Sequence, residues 1–160
     1  FGFKSRGLGD VYKRQATTYG PSLPRDHRLT GFIAAALRGE AIVLPGDGMQ
    51  IRDWLHVDDH CSGLIEAFRR GKTGDPFNLG GRCERTFLGI ARSVLKTLSQ
   101  PEKLTAPGPV PLTMDARRAT DANKVTLYTG WNPTRAFKSE FPTVVRETAA
   151  NLSVAAAKPK

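Results

Sequence analysis

The fold is decided by the stretch Gly46-Asp-Gly-Met-Gln-Ile-Arg-Asp-Trp-Leu-His-Val-Asp-Asp-His60, in which a glycine turn leads into a strand and a helix follows. Side chains over residues 51–57 alternate between two faces, which is the period of a β-strand. We expect this strand to display Arg52 on one side of an otherwise packed surface, where a guanidinium can pair with a phosphate. The residues alone also allow a structural ion pair between Arg52 and an acid, so both interpretations stay open.

Periodic apolar segments and turn signals alternate on either side of this stretch. Thr30 is expected to cap a helix that Gly39 ends, and residues 41–44 are expected to form a buried strand. Asp58 and Asp59 then begin a helix whose apolar stripe has the spacing of a core-facing surface. The members of that stripe are Cys61, Leu64, Ile65 and Phe68.

The second half of the chain continues the alternation. Residues 77–79 are predicted to form a short strand, Thr86 to open a helix, and residues 101–111 to form a proline-rich loop. A short helix is expected over residues 122–128. The last helix is expected to begin near Pro142, because proline is tolerated only in a first turn.

Short strands that alternate with helices predict an α/β fold. Three short strands cannot form a well-covered sheet by themselves, so we expect the chain to be one lobe of a larger structure. This lobe is predicted to span residues 16–152. Residues 1–15 look like a translated adaptor sequence and are expected to be non-native. Residues 153–160 are expected to form a flexible tail.

The composition indicates a folded domain and argues against several classes of protein. Of the 160 residues 39% are hydrophobic, which is too many for intrinsic disorder. The longest purely apolar run, residues 32–37, is much shorter than the roughly 20 residues of a membrane span. Cys61 and Cys83 stand alone, without the spacing of a disulfide framework or a metal site, so we predict a location in the reducing cytoplasm.

The formal net charge of +9 permits more than one kind of anionic partner. The cations are scattered, with no block of five or six, which favours a solvated surface and a small anionic substrate over a nucleic-acid or membrane partner. A noncatalytic module that binds anions, nucleic acid included, is the alternative from another class of function.

Eight segments occur in the order and spacing of one known family. They are Tyr19-Gly-Pro21, Ala36-Leu-Arg-Gly39, Gly46-Asp-Gly48, Gln50-Ile-Arg-Asp-Trp-Leu55 with Asp59-His60, Gly71-Lys72 with Gly74, Phe77-Asn-Leu-Gly-Gly81 with Glu84, Asp121-Ala-Asn-Lys124, and Gly130-Trp131 with Pro133 and Phe137. The chain resembles the C-terminal half of extended short-chain dehydrogenases/reductases in the NAD-dependent epimerase/dehydratase family, most of all the dTDP-glucose 4,6-dehydratases. The resemblance implies a Rossmann-type fold and a substrate-binding lobe.

For the whole enzyme, the resemblance implies an NAD-dependent 4,6-dehydration of a nucleotide diphosphate sugar. Oxidation at C4 would acidify the hydrogen on C5, so that water can be lost across C5 and C6 before C6 is reduced. A UDP-glucuronate decarboxylase or a 4-epimerase on the same scaffold is the alternative, because those enzymes differ in catalytic residues outside this half. The resemblance also implies a homodimeric parent enzyme.

The resemblance assigns roles to individual residues of this chain. Arg52, Asn78 and Arg117 are expected to hold the diphosphate. Pro45 is expected to lie along the nucleotide base, and Tyr19 is expected to contact NAD.

Two further substrate contacts are expected where the chain departs from the family pattern. Thr18 stands where the family has an amide, and His27 stands where it has a lysine, which implies an altered sugar or phosphate contact. Asp26-His-Arg28 resembles the decarboxylase branch instead. Around Arg117 the pattern is reduced, with Pro111 at the place of the family's first arginine, so the resemblance does not fix the nucleotide.

The dinucleotide-binding and catalytic motifs of the family do not occur in this sequence. No Gly-x-x-Gly-x-x-Gly turn follows a strand, and none of Tyr12, Tyr19 and Tyr128 is followed four places on by lysine. We therefore expect the N-terminal NAD-binding half to be missing, and with it the catalytic residues and nearly all contacts with NAD. No catalytic residue and no metal ligand is predicted in this chain, which would bind substrate without completing the reaction.

Overall fold

The structure is a computed structural model that describes residues 16–71 and 75–157, with side chains up to residue 154. The segment 1–15, predicted to be non-native, lies outside the described residues. The elements in chain order are β1 (Thr17–Tyr19), α1 (Arg28–Leu37), β2 (Ile42–Pro45), β3 (Ile51–His56), α2 (Val57–Arg70), β4 (Glu84–Thr86), α3 (Phe87–Thr97), β5 (Thr105–Gly108), β6 (Arg117–Arg118), α4 (Asn123–Thr129) and α5 (Phe137–Ala157).

Strand β3 is the centre of the sheet that positions the site. Its second half pairs in parallel with β1, with Trp54 opposite Thr17. Its first half pairs antiparallel with β4 and in parallel with β6, so that Arg52 lies opposite Arg118. Strands β2 and β5 form a separate parallel pair. The predicted α/β fold is confirmed. Strand β3 is buried from residue 52 to residue 56 on both of its faces, whereas the sequence pattern predicted one packed face.

Two apolar cores hold these elements together. The larger core forms where α1, α3 and α5 pack against one another and against β2. The smaller core lies between β3, α2 and α4. The smaller core consists of Ala16, Leu55, Phe77, Leu79, Ala122, Val125 and Trp131. The two cores lie on opposite faces of β3, since Trp54 belongs to the larger and Leu55 to the smaller.

Helix α1 begins earlier than the sequence pattern predicted. It starts at Arg28, and its cap is His27, whose Nδ1 accepts a hydrogen bond from the backbone N–H of Leu29 at 3.2 Å. Thr30, the predicted cap, is buried inside the helix and donates its hydroxyl to the carbonyl of Pro24 at 2.8 Å. The helix ends as predicted before Gly39, which has the positive φ of 66° that glycine tolerates.

Helix α2 forms where it was predicted, but three of the four residues of its apolar stripe are exposed, and Leu64 alone of the four packs against the smaller core. Phe68 has 90% of its surface exposed and Ile65 has 50%, and Cys61 is exposed as well. The closest approach to the smaller core is at Gly63, where a β-carbon would press against Leu79 and Trp131. The absence of a side chain therefore decides which face of α2 packs against the smaller core.

Helix α5 begins at Phe137, and Pro142 lies inside it. Its start is fixed by Asp59 on α2, which is 3% exposed. The Asp59 carboxylate accepts hydrogen bonds from the backbone N–H of Thr134 at 3.0 Å, the Thr134 hydroxyl at 2.9 Å and the backbone N–H of Arg135 at 2.8 Å. These bonds hold the chain just before α5. The start of α5 is therefore set by a contact with α2, which is distant in sequence, whereas the local pattern predicted a start near Pro142.

Three predictions for the connecting segments are changed by the structure. Residues 77–79 form no strand, although Leu79 accepts a 3.4 Å hydrogen bond from the backbone N–H of Ala16. The predicted loop 101–111 contains β5. Of the predicted tail, residues 153–157 continue α5.

Within the described ranges no helix has the combined length and apolarity that crossing a bilayer requires.

Candidate functional site

Arg52 is fixed in the wall of a cavity near the start of β3, where only 4% of its surface is exposed. Its Nη1 donates to the carbonyl oxygens of Ile51 at 2.6 Å and Asp115 at 3.0 Å. Its guanidinium lies over the ring of Phe87, 5.4 Å from the centroid. The expected display of Arg52 on the surface is therefore wrong. No ion pair joins Arg52 to an acid within the described residues, so the structural ion pair is not formed either.

Two more arginines reach the same cavity. Arg28, the first residue of α1, lies over the same Phe87 ring at 4.9 Å from its centroid. Arg118 on β6 stands beside Arg52 in the strand register. The cavity has a volume of about 190 Å³, and no carboxylate lines it. We call it the arginine cavity; its lining residues are Thr17, His27, Arg28, Arg52, Trp54, Phe87, Met114 and Arg118.

The electrostatics of the arginine cavity favour an anion. Burial lowers the pKa of Arg52, the like charge of Arg118 lowers it further, and Asp115 opposes these effects in part. A guanidinium nevertheless stays protonated at neutral pH. The buried charge of Arg52 therefore lies beside a like charge. A bound anion would relieve that repulsion and would supply acceptors in place of the water that Arg52 has lost.

His27 adds a neutral hydrogen-bond donor to the cavity. Because Nδ1 accepts the N–H of Leu29, the ring proton lies on Nε2. Burial lowers the pKa of His27, and nearby Arg28 lowers it too, against an opposing effect of Asp26. The ring is thus held neutral, with its tautomer set by the capping bond.

Arg117 does not line the arginine cavity. Its side chain forms a bidentate salt bridge with Glu84. Nε donates a hydrogen bond to Oε2 and Nη2 donates one to Oε1, both at 2.7 Å. This pair lowers the pKa of Glu84 and raises that of Arg117. Its neighbour Arg118 lines the cavity instead, because successive side chains on a strand point to opposite faces.

Three other predicted substrate contacts also lie away from the arginine cavity. The Thr18 hydroxyl lies 3.4 Å from Nδ1 of His60 on α2, and its neighbour Thr17 lines the cavity. Asn78 is half-buried and does not line the arginine cavity. Pro45 is buried at the end of β2, opposite Gly108. Of the predicted contacts, the structure therefore brings together Arg52 and His27.

Tyr19, predicted to contact NAD, is a core residue. It is buried among aromatic rings, with His56 at 5.3 Å and Phe137 at 5.4 Å between centroids. Burial raises the pKa of its phenol. The described residues also form no glycine-rich turn between a strand and a helix, which is the usual cradle for a dinucleotide. The contact between Tyr19 and NAD therefore stays a prediction from the resemblance, and the described residues add no dinucleotide cradle to it.

A larger cavity of about 420 Å³ lies at the carboxyl ends of β1 and β3. Three of the four cations that line it, Arg82, Arg85 and Arg135, are engaged by neighbouring groups. Arg135 is paired with Asp58 at 2.9 Å, and Arg82 donates to the hydroxyl of Thr126 at 3.1 Å. The buried carboxylate of Asp59 also lines it. Despite its size, this cavity therefore lacks the carboxylate-free lining of the arginine cavity.

Six lining residues were not predicted from the sequence, namely Thr17, Arg28, Trp54, Phe87, Met114 and Arg118. Phe87 and Trp54 follow a core pattern, and they are indeed buried in the larger core. No local signal distinguishes a buried aromatic ring that supports guanidinium groups from one that only packs. Arg28 adjoins the predicted contact His27, and that proximity was the available clue.

Known proteins are similar to this chain both in sequence and in structure. A model of the NAD dependent epimerase/dehydratase family matches residues 6–80. A dTDP-glucose 4,6-dehydratase from Shigella flexneri is 31% identical over 158 residues, covering 94% of this chain and 44% of that protein. The chain therefore spans less than half the length of this curated relative.

Two solved structures share the fold. A dTDP-glucose 4,6-dehydratase from Streptomyces venezuelae with NAD and TYD bound superposes with a TM-score of 0.82 at 26% identity, covering 88% of this chain and 44% of that one. The corresponding enzyme from Bacillus anthracis, in complex with NAD, gives a TM-score of 0.79 at 28% identity over 87% of this chain and 44% of that one. The similarity confirms the predicted fold class, part of an extended Rossmann-type short-chain dehydrogenase/reductase.

Proposed function

We propose that this chain, which belongs to the NAD-dependent epimerase/dehydratase family, is the substrate-binding lobe of a nucleotide-sugar 4,6-dehydratase and holds the diphosphate of its substrate in the arginine cavity. The proposed substrate is dTDP-glucose, because the similar proteins are dTDP-glucose 4,6-dehydratases. The proposal for this chain concerns the binding and orientation of the substrate.

One observation carries this proposal: three guanidinium groups line a small cavity without a carboxylate. A diphosphate spreads two or more negative charges over several acceptor oxygens, and planar guanidinium groups match such oxygens with paired N–H donors. The guanidinium groups of Arg28 and Arg52 both lie over the Phe87 ring, so this contact positions them before a ligand binds. Preorganised donors lose little conformational entropy on binding.

The remaining functions are proposed for the rest of a longer protein. This chain covers 44% of its curated relative, and we propose that the other part binds NAD, supplies the acid, base and Tyr-x-x-x-Lys residues and completes a cytoplasmic homodimer. In that assembly the arginine cavity would hold the diphosphate, so that binding energy remote from the reacting carbons positions the sugar. Asn78, Thr18 and Pro45 remain proposed contacts with the sugar nucleotide in this larger assembly.

The proposal is tested by titrating this chain with thymidine diphosphate in a calorimeter. Arg118→Ala should weaken binding about 10-fold or more, because it removes charge-assisted hydrogen bonds. Arg117→Ala is the matched control. It removes the same charge from the neighbouring position, where the side chain is bonded to Glu84. Arg117→Ala is expected to change the affinity less than about 2-fold.

The outcomes separate the proposal from its rivals. Absence of thymidine diphosphate binding to the wild-type chain, or equal losses in the two variants, would contradict a diphosphate site in the arginine cavity. A noncatalytic polyanion-binding module would instead bind an oligonucleotide at least as tightly, with an affinity that falls steeply with salt. Arg28→Ala serves as a second cavity variant, because Arg28 is exposed and its removal leaves the core intact.

A further inference from the structure

The indole N–H of Trp54 is a buried donor without a partner. Trp54 is 2% exposed, and no group of the described chain accepts a hydrogen bond from its Nε1. Buried polar groups are normally hydrogen-bonded, because a donor that loses water and gains no acceptor destabilises the folded protein. The other tryptophan obeys this rule, since Trp131 donates its Nε1 to the Ser62 hydroxyl at 2.9 Å.

The position of Trp54 relates this unpaired donor to the arginine cavity. Residues 52 and 54 lie on the same face of β3, because strand side chains alternate. Trp54 lines the cavity together with Arg52, and Thr17 lies opposite it on β1. Two other buried side-chain atoms of the described residues lack partners, on Gln50 and Thr148, and neither residue lines this cavity.

The nitrogen groups that the cavity residues have left for a ligand are all hydrogen-bond donors. The guanidinium groups of Arg28, Arg52 and Arg118 donate only. His27 presents Nε2–H, since its Nδ1 already accepts the Leu29 N–H. The indole adds one more N–H and no acceptor. A wall of this kind suits a ligand whose surface consists of acceptors, and phosphate oxygens are such acceptors.

We propose that the indole N–H of Trp54 donates a hydrogen bond to the diphosphate in the arginine cavity and so positions it against β3. This inference rests on the proposed function and adds a residue to it. In the free protein the N–H is unpaired, and in the complex it is paired, so the bond is gained only on binding. Trp54 is a neutral donor at a fixed place in the strand, and it therefore fixes the orientation of the diphosphate where the arginines supply its charge complementarity.

The chain offers a direct spectroscopic test, because it contains two tryptophans. A ¹⁵N-labelled sample gives two indole N–H signals, and Trp131→Phe identifies which is which. Titration with thymidine diphosphate should move the Trp54 signal downfield and slow its exchange with water. The Trp131 signal should stay in place, since its N–H is already bonded to Ser62. Thymidine without phosphate should move neither.

Affinity supplies the second readout. Trp54→Phe removes the N–H and keeps an aromatic ring, and it should weaken thymidine diphosphate binding about 10-fold. Trp131→Phe is the matched control and should leave the affinity within about 2-fold. If Trp54→Phe does not fold, the titration of the wild-type chain still decides the question.

Two results would overturn the inference in different ways. If thymidine diphosphate binds and Arg118→Ala weakens it while the Trp54 signal stays fixed, the diphosphate site stands and the role of Trp54 is wrong. Trp54 also borders the larger cavity, and an N–H directed there would give this result. If thymidine diphosphate does not bind at all, the proposed function fails and the inference fails with it.

Discussion

Asp59 is expected to be a principal support of the fold that carries the site. Its buried carboxylate accepts three hydrogen bonds from residues 134 and 135, two of them from backbone N–H groups. These bonds join the first turn of α2 to the start of α5, so they connect the helix that follows β3 to the last helix of the larger core. Asp59→Ala removes all three bonds at once.

The size of the effect follows from the kind of bond that is lost. A hydrogen bond to a charged group contributes about 1.5–3 kcal/mol, so two backbone donors amount to about 3–6 kcal/mol. Thr134 and Arg135 are exposed, and water can partly satisfy their N–H groups after the substitution. We therefore expect the lower end, a loss of about 3 kcal/mol from a total that is typically about 5–15 kcal/mol. Asp59→Asn keeps one acceptor oxygen and should lose about half as much.

Asp58→Ala is the matched control for this experiment. Asp58 is the neighbouring acid in the same helical turn, and it is exposed, with an ion pair to Arg135 at 2.9 Å. Exposed pairs contribute about 0–1 kcal/mol, so this variant should differ little from the wild type. Urea unfolding followed by circular dichroism measures all three variants. Equal losses for Asp59→Ala and Asp58→Ala would refute the view that the buried bonds fix the start of α5.

Two further predictions concern stability. Burial lowers the pKa of His27, so the unfolded chain takes up a proton first as pH falls, and the stability present above about pH 6.5 should be lost progressively below it. His27→Asn, which keeps a capping oxygen, should lose less stability in urea unfolding between about pH 7.5 and pH 5.5; an equal loss would contradict this. Gly81→Ala would place a β-carbon against the Trp54 carbonyl and should lose about 1–3 kcal/mol, whereas Gly31→Ala on open helix surface should gain up to about 1 kcal/mol. Thermal unfolding of both glycine variants checks the sign of each change.

The sequence predicted elements best where one periodic pattern decided them. Helix α2 and strand β3 formed within a residue or two of the predicted bounds, because capping residues, a glycine turn and an unbroken alternation agreed there. The exposed stripe of α2 was not predictable in the same way. Periodicity shows that Ile65 and Phe68 share a face, but the packing of Leu79 and Trp131 onto Gly63 decides that the face points outward.

The arginine cavity shows how a resemblance can locate a segment without fixing which of two neighbouring residues lines a cavity. The resemblance matched Arg117, and in the structure Arg118 is the one opposite Arg52. Adjacent strand residues face opposite sides, so a shift of one residue exchanges a cavity-lining arginine for one that faces away. The pairing of β6 with β3 settles the choice, and the bond between Arg117 and Glu84 reinforces it from the other side. Because that pairing joins segments far apart in sequence, strand register rather than the local motif determines which of the two arginines lines the cavity.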